Sequence, residues 1–322
     1  MMELVIVIMI KRIPLSLRTL APLWLLALSV PAWTQPLPQA NEKARRYYDS
    51  LLKRPVPGAA FDRFYGAWLD TETLESLEKW LSAQADAPNA PAGARLLLAY
   101  FYSRQSEPQK AIAQFSKVLA ADPANADAWY QKAMASARLL ASAAALKDLE
   151  KAAQAKPSKL LAAQIRQAQG RLLARQGQPE EARKVWQELL AASPGDEDLA
   201  EDLIDLQMAE GLYDDALATT QKLLAGTRDA YKKVQRRLRL GEIYLKSGKR
   251  DEAVKVWRSC LDDTGSDSWL EKEILSQLEQ AFRREDAMDP LMKEMADLAA
   301  QYPQRLTLRR HYAKLLAETG DL

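Results

Sequence analysis

Catalysis at neutral pH needs nucleophiles, bases or metal ligands at workable spacing, and these 322 residues supply few. There is one histidine, His311, and one cysteine, Cys260. A Cys–His couple or a Cys/His metal cluster needs several such residues in a motif, and an intrachain disulfide needs a second cysteine. The sequence contains no GxxxxGK[ST], HExxH or GxSxG pattern, and no GxGxxG. His311 stands beside Arg309, Arg310 and Lys314, the setting of an ordinary surface histidine. Cys260 occupies an inward-facing helical position, the setting of an inert buried thiol. Carboxylates abound, but acidic pairs on a helix face usually serve solvation. These residues imply a chain without catalysis, metal or cofactor.

What remains is charge in blocks. Residues 185–221 hold ten acids and no Lys or Arg: Glu188, Asp196, Glu197, Asp198, Glu201, Asp202, Asp205, Glu210, Asp214 and Asp215. The following helical segment reverses the sign with Lys232, Lys233, Arg236, Arg237 and Arg239. Two readings stand. Neighbouring helices pair these charges, or the acids form a groove segment for a basic or amide-rich peptide. Asp198, Glu201 and Asp205, at spacings of three and four, share one helix face. No aromatic platform is interleaved with the basic run, which argues against RNA.

The first 32 residues stand apart. Lys11, Arg12 and Arg18 precede a charge-free apolar run over residues 20–32, ending in Val30-Pro31-Ala32. A basic start, a short apolar stretch and small residues read as a signal peptide cleaved near Ala32. Met9 would be a cleaner start than Met1. The run is short against the roughly 20 residues that span a bilayer, and an uncleaved anchor is the alternative. The chain is thus expected to be exported, periplasmic or secreted, without stable membrane insertion after cleavage. Removing the leader leaves basic and acidic side chains equal in number, which argues against nucleic acid and anionic membranes as partners.

Residues 33–91 read as a helical N-terminal cap. Asn41 is placed to cap a helix running to about Leu52, and the turn Arg54-Pro55-Val56-Pro57-Gly58 ends it. Residues 61–69 and 74–81 look like a decayed repeat rich in aromatics: Phe61, Phe64, Tyr65, Trp68 and Trp80. They close the end of an array, with an aromatic ligand box as the alternative.

Self-similarity governs the remainder. Pro123 and Pro157 are 34 residues apart, as are Ala111 and Ala145. Gly177-Gln-Pro-Glu-Glu-Ala182, Gly211-Leu-Tyr-Asp-Asp-Ala216 and Gly248-Lys-Arg-Asp-Glu-Ala253 share one signature. A glycine just past a helix end takes the left-handed conformation cheaply. Proline or acid in the next first turn suits a helix start, and the alanine marks a close helix crossing. The unit is helix–turn–helix.

The pattern resembles the tetratricopeptide repeat, in which helix A carries a bulky residue, a small residue and Tyr, and helix B carries Ala, an aromatic, a small residue and Pro. One repeat has Leu98-Ala99, Tyr102, Ala111, Phe115 and Pro123; the next has Trp129, Ala133, Ala145, Leu149, Ala152 and Pro157. A third has Gly170, Leu173, Ala182, Trp186, Leu189 and Pro194. The fourth has Leu203, Ala216 and Leu223, but Ile204 in the small position and Arg228 for Pro. The fifth has Leu240-Gly241, Tyr244, Ala253, Trp257 and Cys260; a sixth is degenerate, with Leu278, Phe282, Leu291, Met295, Leu298 and Pro303.

The resemblance implies an all-α, right-handed solenoid of antiparallel helix pairs over residues 92–322, about six repeats, the last ending after helix A. It also implies a concave groove lined by A helices. Its candidate residues are Asp127, Tyr130, Met134, Gln164, Gln167, Arg171, Asp198, Glu201, Asp205, Met208, Gln235 and Glu242. The expected function is an exported scaffold or adaptor for protein or peptide partners. The alternatives are a self-associating envelope protein, joined through its C-terminal end, and the interaction portion of a longer protein whose activity lies C-terminal.

Overall fold

The computed structural model describes residues 42–320. The expected leader, the Asn41 cap and the last two residues lie outside the described residues. Sixteen helices and no strand form among the described residues, and none of the helices is long and apolar enough to cross a membrane. The fold is an all-α, tetratricopeptide-type solenoid.

The chain divides into two compact units, the first ending at Arg104 and the second beginning at Gln105. The first contains α1 (Glu42–Lys53), α2 (Ala59–Leu69), α3 (Leu74–Asp86) and α4 (Ala92–Arg104). Its boundary lies beyond residue 91 because α4 packs on both α1 and α3. Gly93 makes this possible: a Cβ there would meet the Leu52 carbonyl oxygen at 2.8 Å. Three of the five expected aromatics are core, and Tyr65 and Trp80 are half-buried. Trp80 meets Tyr48 edge-to-face at 4.5 Å and Trp68 at a tilt at 5.0 Å between ring centroids, and Phe61, Phe64 and Trp68 are buried. The three buried rings fill the interior of the unit.

The second unit runs through α5 (Pro108–Ala121), α6 (Ala126–Arg138), α7 (Ser142–Gln154), α8 (Lys159–Arg175), α9 (Pro179–Ala192) and α10 (Glu197–Ala209). It continues with α11 (Tyr213–Gly226), α12 (Ala230–Lys246), α13 (Arg250–Leu261), α14 (Trp269–Arg283), α15 (Met288–Gln301) and α16 (Leu306–Thr319). Even-numbered helices here are A helices. Five of them start on a side chain that accepts from a first-turn amide: Asn125, Ser158, Asp196, Asp229 and Ser268. Such caps satisfy a donor that the helix itself cannot. The A-to-B turns close on left-handed residues. Gly177, Gly211 and Gly248 have φ of 75°, 74° and 78°, and Ser106, Leu140 and Asp286 take the same place at 57°, 58° and 54°.

Within each pair the small residues do the work assigned to them by the pattern. Ala182, Ala216 and Ala253 have no exposed surface. Helix A and helix B also interlock sixteen residues apart. Trp186 lies over Gly170 and Trp257 over Gly241, and the indoles donate to the carbonyls of Gln167 and Leu238 at 3.4 and 3.1 Å. In the fourth repeat the equivalent pair is Ile204 and Thr220, so the volumes are exchanged between the helices.

Successive repeats are also linked by charge. Arg175 meets Glu210, Arg236 meets Glu201 and Arg283 meets Glu318, each pair 35 residues apart. Arg258 reaches Glu294 at 36 residues, and Arg305 pairs with the fully buried Glu271 at 34 while donating to the Leu261 and Thr264 carbonyls. An ion pair of this sequence separation joins equivalent faces of adjacent repeats.

Candidate functional site

The acidic block is concentrated on α10, whose buried stripe includes Leu199, Leu203 and Leu206 and whose other face carries Glu197, Asp198, Glu201 and Asp205. One repeat on, α12 buries Val234, Leu240 and Ile243 and turns Lys232, Gln235, Arg236 and Arg239 toward α10. The two helices touch less than α6 and α8 or α12 and α14 do. A cleft of about 480 Å³ opens between them, with Ile204, Thr220 and Leu223 contributing its apolar lining.

Charges pair across it. Glu197 binds Lys232 and Arg236, both at 2.8 Å, while Arg236 also reaches Glu201 at 3.3 Å. Arg239 pairs with Asp205 and, at 2.6 Å, with Glu242 on its own helix. The hydrogen bonds from Arg236 and then Lys232 hold the Glu197 carboxyl down at about 2. Arg236 is buried; burial opposes its charge, but Glu197 and Glu201 more than offset that and hold the guanidinium protonated. It also bonds Thr227, whose hydroxyl donates to the Leu223 carbonyl at 2.8 Å. Neighbour pairing of the two charge runs is therefore built into the fold. Asp198 stays exposed and makes no ion pair among the described residues.

A second cleft, of about 300 Å³, adjoins the first and shares Gln235 and Arg239 with it. Leu238, Glu242, Trp269, Glu273 and Gln277 complete its lining, and the Trp269 side chain is among the exposed large hydrophobics.

Five of the twelve groove residues expected from the repeat phase thus converge here: Asp198, Glu201, Asp205, Gln235 and Glu242. The others line neither cleft. Asp127 and Gln164 are exposed on α6 and α8, and Tyr130 and Met134 pack against the core around Ala133, Leu149 and Ile165. Burial pushes the Tyr130 phenol up. Gln167 is half-buried and lends its carbonyl to Trp186, and Arg171 approaches Glu210 at 3.7 Å. Met208 is a correction. It is buried with Ile204, Ala216, Leu240 and Ile243, because α12 covers the C-terminal end of α10.

The cleft residues that phase alone did not select include Glu197, Ile204, Thr220, Leu223, Lys232, Arg236, Arg239, Trp269 and Gln277. A signal for three of them was present: bases at 232, 236 and 239 follow acids at 197, 201 and 205 by about one repeat length.

His311 departs from the surface setting expected of it. It is half-buried, with Nε2 at 3.1 Å from Glu279 Oε2, and burial lowers its pKa despite that carboxylate. Cys260 is buried, and desolvation pushes its thiol up to about 11, far from the thiolate range in which cysteine reacts.

Three family models, each described as tetratricopeptide repeat, match residues 96–159, 173–238 and 237–267. The chain is a tetratricopeptide repeat protein. These matches fall on the helix pairs whose Ala and Gly positions close the crossings described above, and they include both walls of the larger cleft. No curated protein sequence matches this tetratricopeptide repeat chain. Among solved structures it is similar to a tetratricopeptide repeat protein from Parabacteroides merdae, at 17% identity and a TM-score of 0.43, over 73% of this chain and 90% of that one. It is also similar to YrrB, titled a TPR protein with an unusual peptide-binding site, at 19% identity, a TM-score of 0.38 and coverages of 62% and 95%. A third likeness is to a chain of the APC/C hetero-tetramer Cut9–Hcn1, at 16% identity and a TM-score of 0.43. There 85% of this chain aligns but spans only 52% of the other.

Proposed function

We propose that this protein is an exported scaffold that holds protein or peptide partners against the A-helix face of its repeats and carries out no catalysis of its own. The observation that carries the reading is the cleft of about 480 Å³ between α10 and α12. It pairs an apolar floor with charged walls, in a repeat family whose role is protein interaction. Most of its lining is charged, so recognition there would rest on electrostatic complementarity around a small apolar floor. The charge balance left after leader removal disfavours nucleic acid and anionic membrane as partners. Export rests on the basic start, apolar run and small-residue end of residues 1–32.

The test is an unbiased display-peptide selection on the full chain, followed by a variant in which the cleft is filled. Ile204→Gly together with Thr220→Trp reproduces the pairs Gly170–Trp186 and Gly241–Trp257, so the fold should tolerate it. Selected peptides are expected to bind the wild-type chain and lose most of their affinity for this variant. Undiminished binding to a folded variant would move the site elsewhere. Export is checked separately, by the N-terminal mass of the periplasmic or secreted protein: a start within a few residues of Trp33 is expected, and intact Met1 or Met9 on a membrane-bound form would mean an anchor.

A further inference from the structure

We propose that the occupant of the α10–α12 cleft is an extended segment carrying lysine or arginine, its cation held between Asp198 and Asp205 and its backbone read by Arg236. This rests on the reading of the cleft as a peptide site and names the class of peptide.

Three independent features point there. The first is where the wall charges lie. Arg236 is only 5% exposed, and its terminal nitrogens are committed to Glu197 and Glu201, so its charge is already compensated within the wall. The carboxylates opposite stay open: the Glu201 and Asp205 side chains are 60% and 67% exposed, and Asp198 is exposed with no ion pair among the described residues. Lys232 is taken up by Glu197 and Arg239 is divided between Asp205 and Glu242, so three bases face four acids and Asp198 keeps its whole charge. An incoming cation therefore meets an excess of accessible carboxylate.

The second feature is a polar atom left over. Arg236 lines the cleft, is buried, and has a buried Nε–H with no acceptor. An unsatisfied buried donor costs free energy that an acceptor recovers. A backbone carbonyl of a bound segment is such an acceptor and adds no charge beside the carboxylates.

The third is continuity. The smaller cleft shares Gln235 and Arg239 with the larger one and ends at the exposed Trp269 indole, flanked by Glu273. A chain long enough to leave the first cleft enters the second, where a further cation can lie over the indole face, an attraction that carboxylate neighbours reinforce.

The test uses the full chain with Gln235 replaced by photoreactive p-benzoylphenylalanine. Three acetylated heptapeptides serve as probes, alternating leucine with lysine, glutamate or glutamine. The lysine peptide is expected to cross-link and the glutamate peptide not. In fluorescence anisotropy, Asp198→Asn with Asp205→Asn should weaken the lysine peptide roughly threefold to tenfold, the scale of two exposed charge pairs. Asp289→Asn, an exposed acid on α15, should leave it unchanged. Equal or stronger cross-linking by the glutamate or glutamine peptide, or no effect of the double substitution, would overturn the cationic class and leave the groove reading standing. No cross-link from any of the three would overturn both.

Discussion

Trp257 lies against Gly241, so close that a Cβ on the glycine would stand 2.1 Å from the indole Nε1. The same indole donates to the Leu238 carbonyl, three residues before that glycine, and Trp186 repeats the arrangement over Gly170 and Gln167. Each pair combines the largest side chain on helix B with the absence of one on helix A.

Gly241→Ala should therefore cost about 1–3 kcal/mol, because a fully buried ring must shift. Gly66→Ala, in α2 with open space around the new methyl, should gain up to about 1 kcal/mol from helix propensity. Chemical denaturation of the two variants measures the difference. Equal effects would mean that the indole does not set the helix approach.

The three alanines at the B-helix crossings offer a parallel case. Replacing Ala182, Ala216 or Ala253 by Leu forces three further carbon atoms into sites without exposed surface, at about 1–3 kcal/mol each. Thermal unfolding of the three single variants checks this, and a neutral result at all three would break the repeat phase.

Leu140 occupies the turn position that three repeats give to glycine, with φ of 58° and 88% of its surface exposed. The left-handed conformation burdens a leucine by about 1–2 kcal/mol, and glycine loses part of that gain to unfolded-state entropy. Leu140→Gly should be neutral to about 1 kcal/mol stabilising. A clear loss of stability would show that the leucine makes contacts that outweigh its backbone strain.

His311 supplies a pH dependence with a definite sign. Burial keeps its folded-state pKa below the ordinary value near 6.5 in unfolded chains. As pH falls through that ordinary value, the unfolded state takes up the proton first, so stability is full above it and declines on acidification. His311→Gln should flatten the fall in melting temperature between about pH 7.5 and 5.5. An identical slope in the variant would place the titration elsewhere.

Much of this architecture could be read from residue spacing. A Gly, four residues rich in charge or proline and an Ala, recurring after 34 and then 37 residues, specify a turn, a helix start and a close crossing through local backbone and packing physics. Those constraints act within about forty residues, and the left-handed glycines and fully buried alanines stand where that spacing puts them. The groove face could be read in part. Asp198, Glu201, Asp205, Gln235 and Glu242 do line clefts, because helical phase dictates which side of α10 and α12 they occupy.

Phase along one helix does not say how near the next helix comes, and that distance decided the rest. Met208 is buried because α12 crosses over it, while Ile204 and Thr220, which look like packing defects in isolation, line the larger cleft. His311 became a half-buried titrating group beside Glu279 only through helix packing, and Arg236 changed from one base in a run to the buried centre of an ion-pair cluster. The sequence by itself determined the repeat, its turns and its tight crossings, since these are short-range. The tertiary structure alone decided where adjacent A helices separate, because that depends on the summed volumes and charges of side chains one repeat apart.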